Sequence, residues 1–514
     1  MLLRFIRFRA TVAAAARHFS GESAAEKTIG NGGSTARAGG GGDTLGRRLF
    51  SLVYAKRSAV IAIGKWKAEG HKVQKYQLNR IVRELRKLKR YKHALEVCEW
   101  MTQQKDIKLM PGDYAVHLDL IAKVRGLSSA EKFFEDLRDE IRGWQTCTAL
   151  LHTYVNYSLL EKAEALMEKM SECNFLKNPL PYNHMLSLYV ANRQLEKVPE
   201  VIKGLKKNAL PDVVTYNLWL SACASQNDVE TAEKVFMELK KAKIHPDWIT
   251  YSTLTNLYIK NQLLEKASST LREMEKRASR KNRLAYSSLI SLHTNMGDKD
   301  EVHRIWNKMK SCFRKMNDSE YICMMSSLLK LEEIEEAQNI YSEWESVSGH
   351  GDPQVPNVLL AAYINRNQME EAENFHHQMV QKGIRPCYTT WELLTWGHLK
   401  SKQMDKVLDY FKKAISSVKK WNPDKKLIRE VFKNLEEKGN VEEAEELLVI
   451  LRDAGHVSTE IYNSVLRTYE NAGKMPLIIA ERMKKDNVEL DEETHRLIQI
   501  TSSMCVSEVS SFVS

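Results

Sequence analysis

A 35-residue period runs through the middle of this chain and constrains its fold more than any other feature. The segment Val213-Val214-Thr215-Tyr216-Asn217 returns as Trp248-Ile249-Thr250-Tyr251-Ser252, then as Arg283-Leu284-Ala285-Tyr286-Ser287, then as Asp318-Ser319-Glu320-Tyr321-Ile322. Pro-Asp pairs at 211–212 and 246–247 stand ahead of two of these segments. Phased this way, 213–387 holds five units of 35 residues without a gap. Further units starting at Lys75, Pro111, Trp144 and Pro179, and at Tyr388, Lys425 and Thr459, bring the total to twelve over 75–491, with lengths of 33 to 37. Self-similarity at this spacing means one supersecondary unit stacked on copies of itself.

Each unit reads as two short helices. The first carries apolar or aromatic residues at helical spacing, as in Tyr251, Leu254 and Tyr258. The second has a small residue at one fixed place: Ala94, Ala130, Ala163, Ala232, Ala267, Ala337, Ala372 and Ala444. Seven positions later comes a large apolar residue such as Met101, Met170, Leu239, Met274 or Met309. The alanine lets neighbouring helices approach closely and the later residue fills the space between units. Helices of about 12 residues are marginal alone, so each unit must bury its faces on the next. The expected fold is all-α, an α-solenoid, and the aromatic and methionine stripes are core. An incomplete unit is expected at 45–74 and a terminal cap at 492–514.

Composition narrows the function classes. No stretch approaches the roughly 18–20 uncharged apolar residues needed to span a bilayer, so membrane insertion is not expected. The formal charge of +11 favours a polyanionic partner. Eight cysteines are scattered singly without a CxxC pair, which reads as reduced, buried thiols; no metal or cofactor is expected. The neighbours His376 and His377 read as a helix-surface pair, since adjacent helical residues diverge by about 100°. The first 21 residues hold Arg4, Arg7, Arg9 and Arg17 and no acid, as an organelle-import segment requires. Residues 30–46 hold eight of the 23 glycines, and 20–44 reads as a disordered tether.

The pattern VVTYN, a helical pair with Ala232, Phe236 and Leu239, and a closing Pro-Asp resembles the pentatricopeptide-repeat family, P-type subclass, of plant organelles. The resemblance covers about four-fifths of the chain. Tetratricopeptide repeats would favour a 34-residue period and a glycine in the first helix, where this chain has Leu220, Thr255 and Ile290. The resemblance implies a right-handed superhelical α-solenoid of about twelve helix-turn-helix repeats, binding single-stranded organellar RNA as a monomer, with other RNA-processing proteins as further partners. Arg17-His18-Phe19-Ser20 resembles a plant mitochondrial processing signal, which implies a transit peptide over 1–19; a chloroplast address is the alternative.

In this family base reading is credited to the fifth residue of a unit and its last residue, and the second residue wedges between bases. Carried onto this chain, Thr148 with Asn178 implies adenine, Asn183 with Asp212 and Asn217 with Asp247 imply uracil, and Ser252 with Asn282 and Ser287 with Asn317 imply adenine. Asn463 with Asp491 again implies uracil. The wedges are Leu180, Val214, Ile249 and Leu284, and the core target reads A-U-U-A-A. Taken singly, Asn217 could equally be a helix-start hydrogen bonder and Asp247 an N-cap before Trp248. Other units depart from the pattern: Ile322 with Asp352, Asn357 with Cys387, Ala115 with Gly143, and Glu392 and Arg429 at the first reading place.

Residues 72–92 hold nine Lys or Arg against the single acid Glu84. Lys87, Lys123, Lys260, Lys330 and Lys400 recur near the end of first helices, where they would face RNA phosphates or form a solvated face. Acid-rich stretches at Glu332–Glu345 and Glu436–Glu446 read as outer faces of second helices. The 23 residues after 491 lack the His-x-Glu and CxxC zinc pattern of a deaminase-type extension, and no GxxxxGK[ST] loop occurs, so an intrinsic enzyme is not expected. The expected function is sequence-selective RNA binding in transcript stabilisation, processing, splicing or translation. A protein-binding scaffold in a mitochondrial ribosome or assembly complex is the alternative.

Overall fold

The computed structural model describes residues 43–52, 58–279, 282–348, 351–418 and 421–511. The expected transit peptide at 1–19 and all but the end of the tether lie outside them. The chain is all-helical, with no strand among the described residues, and falls into two compact bodies divided between Ala278 and Ser279.

In the first body, a short pair, α1 (Leu45–Phe50) and α2 (Ala59–Ala68), precedes a series of helical hairpins. Their leading helices are α3 (Lys75–Lys87), α5 (Pro111–Arg125), α7 (Trp144–Asn156), α9 (Pro179–Ala191), α11 (Val213–Gln226) and α13 (Trp248–Lys260). The trailing helices are α4 (Tyr91–Gln103), α6 (Leu127–Glu135), α8 (Leu160–Glu172), α10 (Val198–Asn208), α12 (Val229–Lys241) and α14 (Leu264–Arg277). The second body repeats the scheme. Its leading helices are α15 (Arg283–Met296), α17 (Asp318–Lys330), α19 (Gln354–Asn365), α21 (Tyr388–Lys400), α23 (Lys425–Lys438) and α25 (Thr459–Ala472). These alternate with α16 (Lys299–Cys312), α18 (Ile334–Ser348), α20 (Met369–Gln381), α22 (Met404–Ser416), α24 (Val441–Asp453) and α26 (Ile479–Lys485); a last helix, α27 (Glu492–Ser511), packs on α25.

Helices of this length stop where the chain must turn. Most leading helices are followed, one or two residues on, by a residue in the left-handed region: Lys89, Ser158, Arg193, Asn227, Gln262, Glu332, Asn367 and Lys402, with φ between 54° and 68°. That conformation ends the α-helix and reverses the chain. Gly126, Gly297, Gly439 and Gly473 take a positive φ after their leading helices without a Cβ penalty; at Gly439 a Cβ would also lie 3.2 Å from the Ala472 backbone.

The core runs between helices. The eight alanines at the repeating place are fully buried, and so are Leu239 and Met274 seven places beyond two of them; Met309 is likewise buried seven places after Val302. Each leading helix but α25 packs on its trailing partner, and in most hairpins also on the next leading helix of its body. This arrangement brings the N-terminal turns of successive leading helices side by side. Of the acidic stretches, Glu343, Glu345 and Glu446 lie on trailing helices and pair with Lys310, Lys382 and Lys412 at 2.5 to 2.7 Å, but Glu436 and Glu437 belong to the leading helix α23, against expectation. These ion pairs are exposed or half-exposed and contribute about 0–1 kcal/mol each.

Two expectations need correction. His376 does not lie on the surface: it is buried, packed against Trp391 and Tyr410, with neither ring nitrogen hydrogen-bonded, and burial first, then His377, push its pKa down to about 4. His377 takes the exposed side. Among the cysteines, Cys98, Cys147 and Cys223 are buried as expected, but Cys173 is exposed.

Candidate nucleic-acid interface

The leading helices start on capping residues that are also the last residues of the preceding units. Asp212 and Asp247 have extended backbones and accept from the N–H of Thr215 and Thr250, at 2.8 and 2.9 Å. The helix-start role weighed for Asp247 is therefore real. The same carboxylates do a second thing. Asn183 Nδ2 donates to Asp212 Oδ1 at 3.0 Å, and Asn217 Nδ2 donates to Asp247 Oδ1 at 3.0 Å. In the second body Asn463 Nδ2 donates to Asp491 Oδ1 at 3.1 Å.

A third residue completes each set. Thr215 Oγ1 shares its proton between Asn183 Oδ1 at 2.8 Å and Asp212 Oδ1 at 2.9 Å. Thr250 does the same toward Asn217 at 2.6 Å and Asp247 at 3.0 Å, and Thr494 toward Asn463 and Asp491, both at 2.7 Å. The ionised carboxylate can only accept, so it demands the amide nitrogen; the amide oxygen is then left facing the threonine hydroxyl. The network thus decides an amide orientation that would otherwise be ambiguous. The three asparagines are buried, at 1–5% exposure, while Asp212 and Asp247 are half-buried and Asp491 exposed. Hydrogen bonds from the Thr494 backbone and hydroxyl, then from Asn463, hold the Asp491 carboxyl below the usual range. One amide proton of Asn183 and of Asn217 remains unused by these networks, whereas Asn463 Nδ2 also donates to Asp491 Oδ2 at 3.2 Å.

The threonines are functional candidates absent from the expected site. Their signal was an Asp-x-x-Thr spacing across three joints, 212–215, 247–250 and 491–494. A fourth set keeps the asparagine and threonine but changes the middle: Thr390 Oγ1 donates to Asn357 Oδ1 at 2.9 Å, while Asn357 Nδ2 lies 3.5 Å from Cys387 Sγ.

Thr148 and Asn178 each bond within their own helix and not to one another. Thr148 is buried in α7, its hydroxyl donating to the Trp144 carbonyl at 2.6 Å, while Asn178 caps α9 by accepting from Leu180 N–H at 2.9 Å. Ser252 is half-buried on α13 and Asn282 caps α15 through Ala285 N–H at 3.3 Å; the two fall either side of the division between bodies. Ser287 is half-buried on α15, and Asn317, exposed, precedes α17 with its backbone N–H donating to Glu320. Of the expected wedges, Leu180, Val214 and Ile249 are half-buried and Leu284 is exposed, all in first turns of leading helices.

Lys87, Lys123, Lys260, Lys330 and Lys400 are all exposed near the ends of leading helices. Lys87 pairs with Glu84 at 3.2 Å, Lys123 with Asp119 at 2.9 Å, and Lys330 donates to Asn295. Among the described residues no group of three His, Cys, Asp or Glu side chains is placed to hold a metal ion, and no helix is long and apolar enough to cross a membrane.

Known proteins share this repeat. The PPR repeat model matches residues 145–175, 249–278, 284–312 and 356–384, the PPR repeat family model 211–257, and the pentatricopeptide repeat domain model 165–224. A mitochondrial pentatricopeptide repeat-containing protein of Arabidopsis thaliana is 65% identical over 475 residues, 92% of this chain and 89% of that protein. A second mitochondrial member from the same plant is 44% identical over 200 residues, 38% of this chain and 49% of its own length. Among solved structures, the pentatricopeptide repeat protein PPR10 from maize covers 88% of this chain and 70% of its own, with 17% identity and a TM-score of 0.47. The same protein, solved in complex with an 18-nt psaJ RNA element, gives 18% identity and a TM-score of 0.48 over 86% of this chain and 68% of its own.

Proposed function

This chain belongs to the pentatricopeptide-repeat family, and from that premise we propose that it is a P-type member that binds single-stranded RNA in mitochondria and has no catalytic centre. The array would occupy 75–491, with a partial repeat at 45–74 and a cap at 492–514. The mitochondrial setting draws on the basic, acid-free first 21 residues and on relatives named as mitochondrial.

The observation carrying this reading is the recurrence of one Asn–Asp–Thr geometry at 183/212/215, 217/247/250 and 463/491/494. In the first two sets the amide has one N–H left to donate, and in all three the carboxylate has acceptor capacity left. Donor beside acceptor is the complement of uracil, which offers a carbonyl oxygen and N3–H; cytosine would turn a lone pair toward the carboxylate. The Thr148 and Asn178 pair has the opposite character. Thr148 has committed its proton and can only accept, while the Asn178 oxygen is used by the helix start and its amide N–H groups remain. Acceptor plus donor complements adenine N6–H and N1. The capping role of each unit's last residue therefore selects which half of that side chain is left for a base.

Exposed lysines at leading-helix ends would neutralise phosphates. Five letters recur about once per thousand random nucleotides, so a natural target needs further contacts. The protein would act by occupancy, shielding or presenting a transcript for stabilisation, processing, splicing or translation. The test is crosslinking of the protein in purified mitochondria with sequencing of bound RNA. Enrichment of transcripts sharing A-U-U-A-A is the expected result. Recovery of proteins with no enriched transcript would replace this reading with a scaffold in a ribosome or assembly complex.

A further inference from the structure

Within the second body, leading helices α15, α17, α19 and α21 pack in succession, but α21 and α23 touch only sparsely. The unit between their starts, 388–424, is 37 residues long instead of 35. On the other side of this joint α22 packs on α24, and Trp421 is inserted there. Its indole donates to Tyr388 Oη at 3.4 Å, its carbonyl lies 3.2 Å from His456 Nε2, and its ring meets Phe411 and His456 edge-on. Filling that side and not the other leaves a cleft of about 240 Å³ between α21 and α23.

The cleft is lined by Trp396 and Lys400 from α21 and by Glu430, Lys433, Asn434 and Glu437 from α23. Trp396 and Lys400 follow Glu392 at four and eight residues, so all three share one helix face. The cleft therefore lies about one to two turns from the reading place. At both helices that place lacks a small polar group: Glu392 accepts from Tyr388 Oη, and Arg429 pairs with Glu460 at 2.9 Å. This joint combines a lapse in base reading with a gap between leading helices, whereas at Ala115 and Ile322 the leading helices still pack on the next.

We propose that this cleft is a pocket for one unstacked nucleobase bearing an exocyclic amine, a site additional to the base-reading pairs. Two lysines and two glutamates cancel in charge, so the cleft does not select bare phosphate. It offers a half-buried indole as a stacking surface, which any base can use. It also offers acceptors: the two carboxylates, and Asn434 Oδ1, which is buried with no hydrogen-bond partner. A buried carbonyl oxygen without a donor is costly, and an amine would relieve it. The volume fits a single ring system and not a drug-sized ligand. An RNA strand running over a joint that does not read would swing one base into it, and Lys400 and Lys433 at the rim would meet its phosphates. Choosing an RNA strand as the source rests on the RNA-binding reading above; the nucleobase pocket does not.

The test uses the full chain and a single-stranded oligouridylate carrying one 2-aminopurine, with anisotropy of an end label reporting total binding. The base fluorescence is expected to quench on binding. Trp396→Leu is expected to abolish the quench and weaken binding about 5-fold or more. Asn434→Leu, which removes an unpartnered group, is expected to fold normally and to erase the preference for an unlabelled competitor containing adenosine over one containing purine riboside, which lacks the amine. RNA that binds with the same quench in wild type and Trp396→Leu overturns the pocket. So does wild-type protein that takes both competitors equally. In a parallel arm, saturable quenching of free 2-aminopurine ribonucleotide, sensitive to Trp396→Leu and seen without any RNA binding, would support the pocket while overturning the RNA reading.

Discussion

Thr250→Val deletes a hydroxyl that RNA cannot reach, yet it should change which base the chain prefers. Thr250 is fully buried. Valine keeps its shape and its backbone N–H, so the cap bond to Asp247 survives. What is lost is the donor to Asn217 Oδ1 at 2.6 Å and the acceptor for the Asp247 N–H at 3.2 Å. Two hydrogen bonds contribute about 1 kcal/mol each, and an orphaned buried amide oxygen adds about 1–3 kcal/mol, so the local cost is about 3–5 kcal/mol. Asn217 relieves it by leaving its seat beside Asp247. A repeat array opens locally, so the stability readout should be amide hydrogen exchange in the first turn of α13 and not a single melting temperature. The RNA readout is competition between oligonucleotides differing at one position. Discrimination of about 1–3 kcal/mol, or 5- to 150-fold, should disappear there. Thr250→Ser should keep it, and Thr250→Val should add nothing in an Asn217→Ala background. Unchanged uracil preference in Thr250→Val, with RNA still bound, would refute the claim that the hydroxyl holds the reader.

Four further expectations follow, the last three independent of that one. Asn217→Thr with Asp247→Asn keeps a competent helix cap but exchanges the donor and acceptor, and competition binding should move the preference at one base from uracil toward adenine. Lys260→Ala and Lys400→Ala should each reduce the slope of log affinity against log salt by about 0.7, whereas Lys123, already paired with Asp119, should give less. His376 titrates near 4 when folded and near 6.5 when unfolded, so between these values the unfolded chain binds more protons; stability is full above pH 6.5 and falls by up to about 3 kcal/mol toward pH 4. His376→Phe should flatten that loss in hydrogen exchange of α20. Gly397→Ala would place a Cβ 2.7 Å from Met369 Sδ and 3.2 Å from Ile364 Cγ1; because the methionine can turn aside, exchange protection of α21 should fall by only about 1 kcal/mol.

The hairpin architecture was legible because its cause is periodic: alanine and methionine rows recur at the spacing that stacking requires, and they are buried. The Asn–Asp pairs were legible as positions, but not as bonded pairs, because the asparagine and aspartate are 28 to 30 residues apart and meet only when one leading helix packs on the next. Thr215 and Thr250 were visible in VVTYN and WITYS, yet a threonine at the third helical position is also an ordinary capping-box residue. Only packing gives it a second partner. His376 failed for a related reason: adjacent helical residues diverge, which says that one must face differently from the other and not which. The 37-residue unit was visible as a number, but which side of the joint would open depended on where Trp421 settled.

A consequence of the shared threonine concerns anyone who would move these hairpins between proteins. A block cut from Val213 to Asp247 carries Asn217 and its carboxylate partner but leaves Thr250 behind. In a host with alanine at that place, as in Ala285 of this chain, the grafted asparagine would sit loose. The portable module ends three residues later, inside the neighbouring helix.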